Sequence, residues 1–264
     1  MTDAFGWTDE DWQAFDVQHL GAELRGVLES KMKGTPAEGA IGRLFTGYGE
    51  KFFSTLDGTY TSVRGDEFYD IHLVVQDFKT LEESLQAHMT TEKLDGDNKY
   101  RVEEDGKDPV YKDAEMGYRF LRFPPVVLFH LKRFDMDLTS PTLDMKKINS
   151  QFTFPDELDL TKMEVGLSEE MKKKRDPAFA QDSDAVYELY GIVVHRGGVK
   201  SGHYFCYMRD YDSSQGKFTH WTEFDDGAVR PGDRGGDAAP VDALREDGVR
   251  GGRLGAAAGQ EVDE

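Results

Sequence analysis

The chain has 264 residues, 38% of them hydrophobic and 12% aromatic, with a single cysteine. One cysteine excludes an internal disulfide and any site built on paired thiols, and the length allows one large domain or two small ones. With 51 acidic against 32 basic residues the formal charge is -19, which repels a phosphate backbone, and no stretch approaches the roughly 18 apolar residues of a membrane span, so neither a nucleic-acid nor a membrane partner is expected.

From Thr8 to Lys33 the apolar residues Trp12, Phe15, Val17, Leu20, Leu24, Val27 and Leu28 recur at three- and four-residue steps, which predicts an amphipathic helix closed by Gly34. The first residues carry neither a basic n-region nor an apolar h-region, so an intracellular protein, cytoplasmic or nuclear, is expected. A second short helix is predicted from Glu38 to Phe45, and a third at Leu81–His88. Strands are predicted at Lys51–Leu56, Tyr60–Arg64, Tyr69–Val75, Tyr118–Arg122, Val126–Phe134, Gln151–Phe154, Tyr187–His195, His203–Tyr211 and Thr219–Glu223, each a β-branched or aromatic run between turn residues. Met163–Asp184 is charged and reads as a surface insertion. From Pro231 to Glu264 eight glycines and no aromatic residue predict a disordered Gly/Ala-rich tail, 231–264.

The densest chemistry lies between Tyr187 and Val229. Two predicted strands flank a Gly-rich turn, and the second begins at His203, where flexible glycines let another backbone approach closely. Asp225 and Asp226 close the following strand, and an antiparallel return brings a carboxylate to that imidazole, the arrangement that orients a general base. Cys206 is three positions from His203, so in a strand the two side chains point to opposite faces and Cys206 reads as a small apolar residue, not a nucleophile. A zinc site made of His195, His203 and Asp225 is a rival, weakened by Gly197, Gly198 and Gly202, which break the strand between the histidines. His72, His88, His130 and His220 read as structural.

The chain resembles the catalytic domain of the ubiquitin-specific proteases, closest to the herpesvirus-associated branch. The likeness is carried in order by FGW at Phe5–Trp7, FDVQHL at Phe15–Leu20, ESKMKGT at Glu29–Thr35, YDIHL at Tyr69–Leu73, LDGDNKY at Leu94–Tyr100, LKRF at Leu131–Phe134, FTFPDEL at Phe152–Leu158 and the histidine box around SGHY. The resemblance implies an α+β, papain-like cysteine peptidase over residues 1–230, with a thumb remnant at about 1–43, β fingers at about 44–123 and a β-rich palm at about 124–230. It implies a deubiquitinating cysteine protease acting on ubiquitin and ubiquitinated proteins, with no cofactor and no metal. His203 is then the general base and Asp225 its orienting partner, with Asp226 as the substitute. Asp16 and Gln18 line the channel for the ubiquitin tail, with Phe134, His195 and Tyr204 along its walls. The acidity suits an arginine-rich ubiquitin tail through charge-assisted hydrogen bonds.

Three departures qualify the likeness. The family nucleophile sits in an Asn-Thr-Cys box ahead of the FGW motif, which these residues do not include, so the chain alone is expected to be inactive, and a ubiquitin-binding pseudoenzyme or a truncated product is the alternative. Phe15 and His19 stand where the family has His and Glu. The cysteine pairs of many zinc-bearing fingers are replaced by a stretch without cysteine.

Overall fold

A computed structural model describes residues 17–103, 108–138, 141–142, 144–163, 185–199, 201–231 and the backbone of 254–259. The chain opens with helices α1 (Val17–Met32) and α2 (Ala40–Phe45), then strands β1 (Gly47–Thr55), β2 (Thr61–Phe68) and β3 (Ile71–Val74) and helix α3 (Leu81–His88). Strands β4 (Glu92–Leu94), β5 (Tyr100–Val102), β6 (Val110–Lys112), β7 (Ala114–Arg122), β8 (Val126–Lys132), β9 (Phe134–Met136), β10 (Met145–Lys147) and β11 (Glu157–Asp159) follow. The last part holds β12 (Val186–Gly197), β13 (Gly202–Asp212), β14 (Lys217–Asp225), β15 (Ala228–Pro231) and β16 (Leu254–Gly259). Phe15 and Asp16, and residues 164–184 of the insertion expected at Met163–Asp184, lie outside the described residues.

An eight-stranded sheet of order β15-β14-β13-β12-β16-β8-β3, with β11 paired to β12, carries the site, and a second sheet has four strands in the order β2-β1-β7-β4. In β8 the alternation is strict: Val127, Phe129 and Leu131 are buried, and Leu128 and His130 between them are half-buried and line a cavity, as the two-residue period of a strand requires. The buried set meets Leu73, Leu81, Leu85, Phe154, Leu160, Tyr187, Ile192, Val194, Phe205 and Trp221 in one core. Each such side chain contributes about 1.5–3 kcal/mol by leaving water. Helix α3 is fixed at its start by a capping box: Thr80 Oγ1 accepts from the Glu83 N–H at 3.1 Å, and Glu83 accepts from the Thr80 N–H at 3.3 Å.

Three differences from the predicted elements have physical causes. Gln151–Phe154 forms only an isolated bridge, Thr153 with Thr80, because its Phe152 and Phe154 serve as core plugs and not as members of a ladder. Short β9 and β10 pair Phe134 with Lys147 across a hairpin whose charged composition lacks strand signal. In the tail expected to be disordered, Leu254–Gly259 lies antiparallel to both β12 and β8 and fills the space between them. There the backbone N–H and C=O groups have ladder partners on both sides, which needs no apolar side chain.

Candidate active site

The β12–β13 hairpin sets His203. Its register runs Gly197↔Gly202, Arg196↔His203 and His195↔Tyr204, and the Gly198 N–H donates to Ser201 O at 2.9 Å inside the turn. Gly197 has φ 120, a region closed to other residues in practice, and a Cβ there would lie 2.7 Å from Gly202 Cα and Ser201 O. Arg196 stacks over the Phe205 ring at 4.5 Å, which steadies the start of β13.

His203 Nε2 is hydrogen-bonded to Asp225 Oδ1, with side-chain exposures of 41% and 21%, and Asp226 Oδ2 stands 4.0 Å from the same nitrogen. Asp225 is the last residue of β14 and pairs with Ala228, so the two residues between them, Asp226 and Gly227, make a tight turn with Asp226 at φ 51. That turn holds the Asp225 carboxylate against the imidazole. The carboxylate bond, and the nearby charges of Asp226 and Asp225, raise the His203 pKa above the ordinary histidine value, and the same bond lowers the pKa of Asp225. Because a carboxylate only accepts, Nε2 carries the proton in the neutral ring and Nδ1 carries the lone pair that can take a proton from a nucleophile.

Cys206 is in regular register with Val193, two strand positions inside the ladder from His195↔Tyr204, so parity puts it on the face opposite His203. It lines a cavity of about 300 Å³ with Leu128, Tyr190 and Val193 of the sheet and Val17 and Gln18 of α1. Burial pushes the thiol pKa up, which is the opposite of what activates a thiolate.

Among the remaining predicted site residues, Phe134, His195 and Tyr204 come together: the His195 ring lies 5.6 Å from Phe134 and 4.7 Å from Tyr204. His195 is 5% exposed, so it stands behind that wall and not on its surface. Gln18 lines the same cavity as Tyr204, its amide donating to Asp70 Oδ2 at 3.1 Å and lying 2.8 Å from His72 Nε2. His72 and His130, read from sequence as structural, face each other in the parallel β3–β8 register with Nδ1 atoms 3.3 Å apart, and so tie the floor of the sheet to Gln18. Nothing in the sequence signals this contact, because the two positions are 58 residues apart in different predicted strands.

Among the described residues, His203, Asp225 and Asp226 form the group of three potential metal ligands, their ligand atoms within 4.8 Å of one another. His195, weighed above as a zinc ligand, is outside it, and its Nδ1 faces Lys147 Nζ at 3.0 Å. The ring-to-carboxylate bond is the geometry of an oriented base.

The sequence pattern of one known family, ubiquitin carboxyl-terminal hydrolase, matches residues 3–246. The chain belongs to the ubiquitin carboxyl-terminal hydrolase family. Similar members include "Ubiquitin C-terminal hydrolase 12" of Arabidopsis thaliana, 37% identical over 230 residues, covering 87% of this chain and 19% of that protein. "Ubiquitin carboxyl-terminal hydrolase 15" of Saccharomyces cerevisiae is 34% identical over the same share of this chain and 18% of its own length, and "Ubiquitin carboxyl-terminal hydrolase 7" of Drosophila melanogaster is 35% identical, with 87% and 18% covered. The chain thus spans about a fifth of the length of these relatives. Its β-rich α+β architecture, with few helices, is that of the family's papain-like fold.

Proposed function

We propose that these residues form the base-bearing part of a cysteine-type deubiquitinase, which hydrolyses bonds to the C-terminal glycine of ubiquitin on ubiquitinated proteins. The observation that carries the reading is the His203–Asp225 pair at the mouth of a Gly-rich hairpin in a chain of this family. The sole cysteine of the 264 residues lies on the far face of β13, so the attacking thiol is supplied by polypeptide outside them. Nδ1 of His203 takes the thiol proton, the thiolate adds to the scissile carbonyl, and the tetrahedral intermediate collapses as His203 returns that proton to the leaving amine. Water then cleaves the thioester with His203 again as base, releasing the ubiquitin carboxylate and the thiol. Asp225 holds the tautomer throughout and stabilises the imidazolium.

Asp16, Gln18, Phe134 and Tyr204 are assigned to the ubiquitin tail, with His195 supporting the last two. The charge of -19 favours an arginine-rich peptide over nucleic acid. Among the described residues no helix is long and apolar enough to cross a membrane, and we assign the protein to the cytoplasm or nucleus. For the 264 residues by themselves, the position of Cys206 favours ubiquitin binding without turnover.

Ubiquitin carrying a C-terminal fluorophore amide tests both parts. The purified chain is expected to bind it, more weakly as salt screens the arginine–carboxylate contacts, and to release no fluorophore. Turnover by the chain alone would overturn the external thiol, and lack of binding would overturn ubiquitin recognition by these residues.

A further inference from the structure

We infer that Lys147 is a positioning residue for His203, tying β10 to both ends of the β12–β13 turn through the His195 ring; the inference rests on the reading of His203 as the general base. Lys147 Nζ lies 3.1 Å from His195 O, 2.8 Å from Gly197 O and 3.0 Å from His195 Nδ1. An ammonium has three N–H donors, and here each has an acceptor on β12, two of them on the last residues before the turn. Its stem is held in turn by the β9–β10 hairpin, where Lys147 pairs with Phe134 and its Nζ sits 5.7 Å from that ring.

The opposite edge of the His195 ring occupies the place a side chain would take on Gly202: a Cβ there would lie 1.9 Å from His195 Nε2 and 2.5 Å from Cε1. Gly202 is the register partner of Gly197 and the residue directly before His203. Lys147 therefore fixes one side of the turn through the Gly197 carbonyl and the other side through the ring on which Gly202 rests. The ring has little space in which to move, being 5% exposed and flanked by Phe134 and Tyr204. A shift of the turn would tilt His203, at the start of β13, relative to Asp225, which follows the Cys206↔Phe224 pair of the β13–β14 ladder and is held on its other side by the β14–β15 turn.

The charged group that acts on Lys147 from its surroundings is Arg133, 2% exposed and bonded to the carbonyls of Ile148 and Ser150. Burial, and the Arg133 charge after it, bring the Lys147 ammonium down to about 8. A neutral amine keeps two N–H groups for the two carbonyls, and its lone pair accepts from His195 Nδ1–H. The tie survives deprotonation, but the His195 tautomer inverts, which provides a signature.

The test is nitrogen NMR of the full chain labelled at histidine, followed from pH 6.5 to 9.5. In the parent protein His195 Nδ1 is expected to be an unprotonated acceptor near neutrality and to become protonated as the pH passes about 8. In Lys147→Met the titration midpoint of His203 is expected to fall toward the ordinary histidine value, with loss of the hydrogen-bonded Nε2 proton signal, and Lys147→Arg, which keeps donors for the two carbonyls, is expected to retain both. A His195 Nδ1 that stays protonated throughout in the parent would overturn the inference, and that result needs no variant to fold. So would an unmoved His203 midpoint in folded Lys147→Met, or an equal fall in Lys147→Arg. None of these readings involves ubiquitin or turnover, so failure here leaves the assignment of His203 as base to be decided by the fluorophore assay.

Discussion

Adjacent aspartates at the end of one strand offer His203 two partners, and their backbone positions decide between them. Asp225 still has strand geometry and aims its carboxylate at Nε2, whereas Asp226 has entered the turn at φ 51 and leaves its carboxylate 4.0 Å away and 84% exposed. An exposed charge at that distance is screened by water, while a direct bond to a half-buried ring is not. Asp225→Asn is therefore expected to return the His203 midpoint toward the ordinary value and, in the assembled enzyme, to lower turnover about 10²–10⁴-fold, the range for an oriented acid–base group. Asp226→Asn, which removes a nearby charge but not the direct bond, is expected to lower the midpoint by less and to leave turnover close to the parent. A histidine titration by proton NMR checks the first part, and a larger effect from Asp226→Asn than from Asp225→Asn would reverse the assignment. Sequence alone puts a histidine at the start of one strand and a carboxylate pair at the end of the next, so their meeting is legible from antiparallel pairing. Choosing between the pair needs the backbone dihedral. Lys147 is not legible at all, since MKKIN has neither motif nor periodicity and its partners lie about 50 residues on.

The hairpin of β12 and β13 is the element that makes the site, and it is also the most readable part of the chain: long β-branched and aromatic runs on either side of a glycine-rich turn. Helix α3 is equally readable, its predicted and observed bounds both Leu81–His88, because an apolar stripe and a Thr–Glu capping box point to one register. Short strands such as β10 and β15 are not, because three or four residues carry too little pattern; for β15 the Asp226-Gly227 dipeptide is the available turn signal. The hairpin's dependence on Gly202 is testable. Gly202→Ala puts a methyl carbon where His195 Nε2 now lies, 1.9 Å from it, in a ring that is buried and cannot swing to solvent. Overpacking of this kind costs about 1–3 kcal/mol, so urea unfolding is expected to show a lower midpoint with an unchanged slope. A Gly202→Ala variant as stable as the parent would mean that the ring and the turn are not in contact in solution.

Across the whole molecule the groups around the site give stability a pH dependence whose signs differ. His203 has a folded pKa above its unfolded value, so its contribution is complete below about 6.5 and is lost as pH rises through the folded pKa. Asp225 has a lowered pKa, so its contribution holds above the unfolded value near 3.8 and is lost as pH falls through the folded one. Lys147 acts in the other direction at high pH. Its folded pKa is about 8 against 10.5 for the ordinary group, so between those values the unfolded chain binds more protons and stability rises with pH. Tyr207, pushed up to about 12 by burial and then by its bond to Glu223, opposes this above about 10, where the unfolded tyrosine ionises first. Parent and Lys147→Met share Asp225 and Tyr207; they differ in the lysine and, through it, in the His203 midpoint, a difference that no longer counts once the pH has passed both midpoints. The difference between their melting temperatures is therefore expected to change from pH 8 to pH 10 in favour of the parent, because only the parent escapes the cost of a partly buried ammonium as that ammonium loses its proton. Differential scanning calorimetry at the two pH values reads the change directly, and a constant difference would mean that the Lys147 ammonium is as well solvated in the folded chain as in the unfolded one.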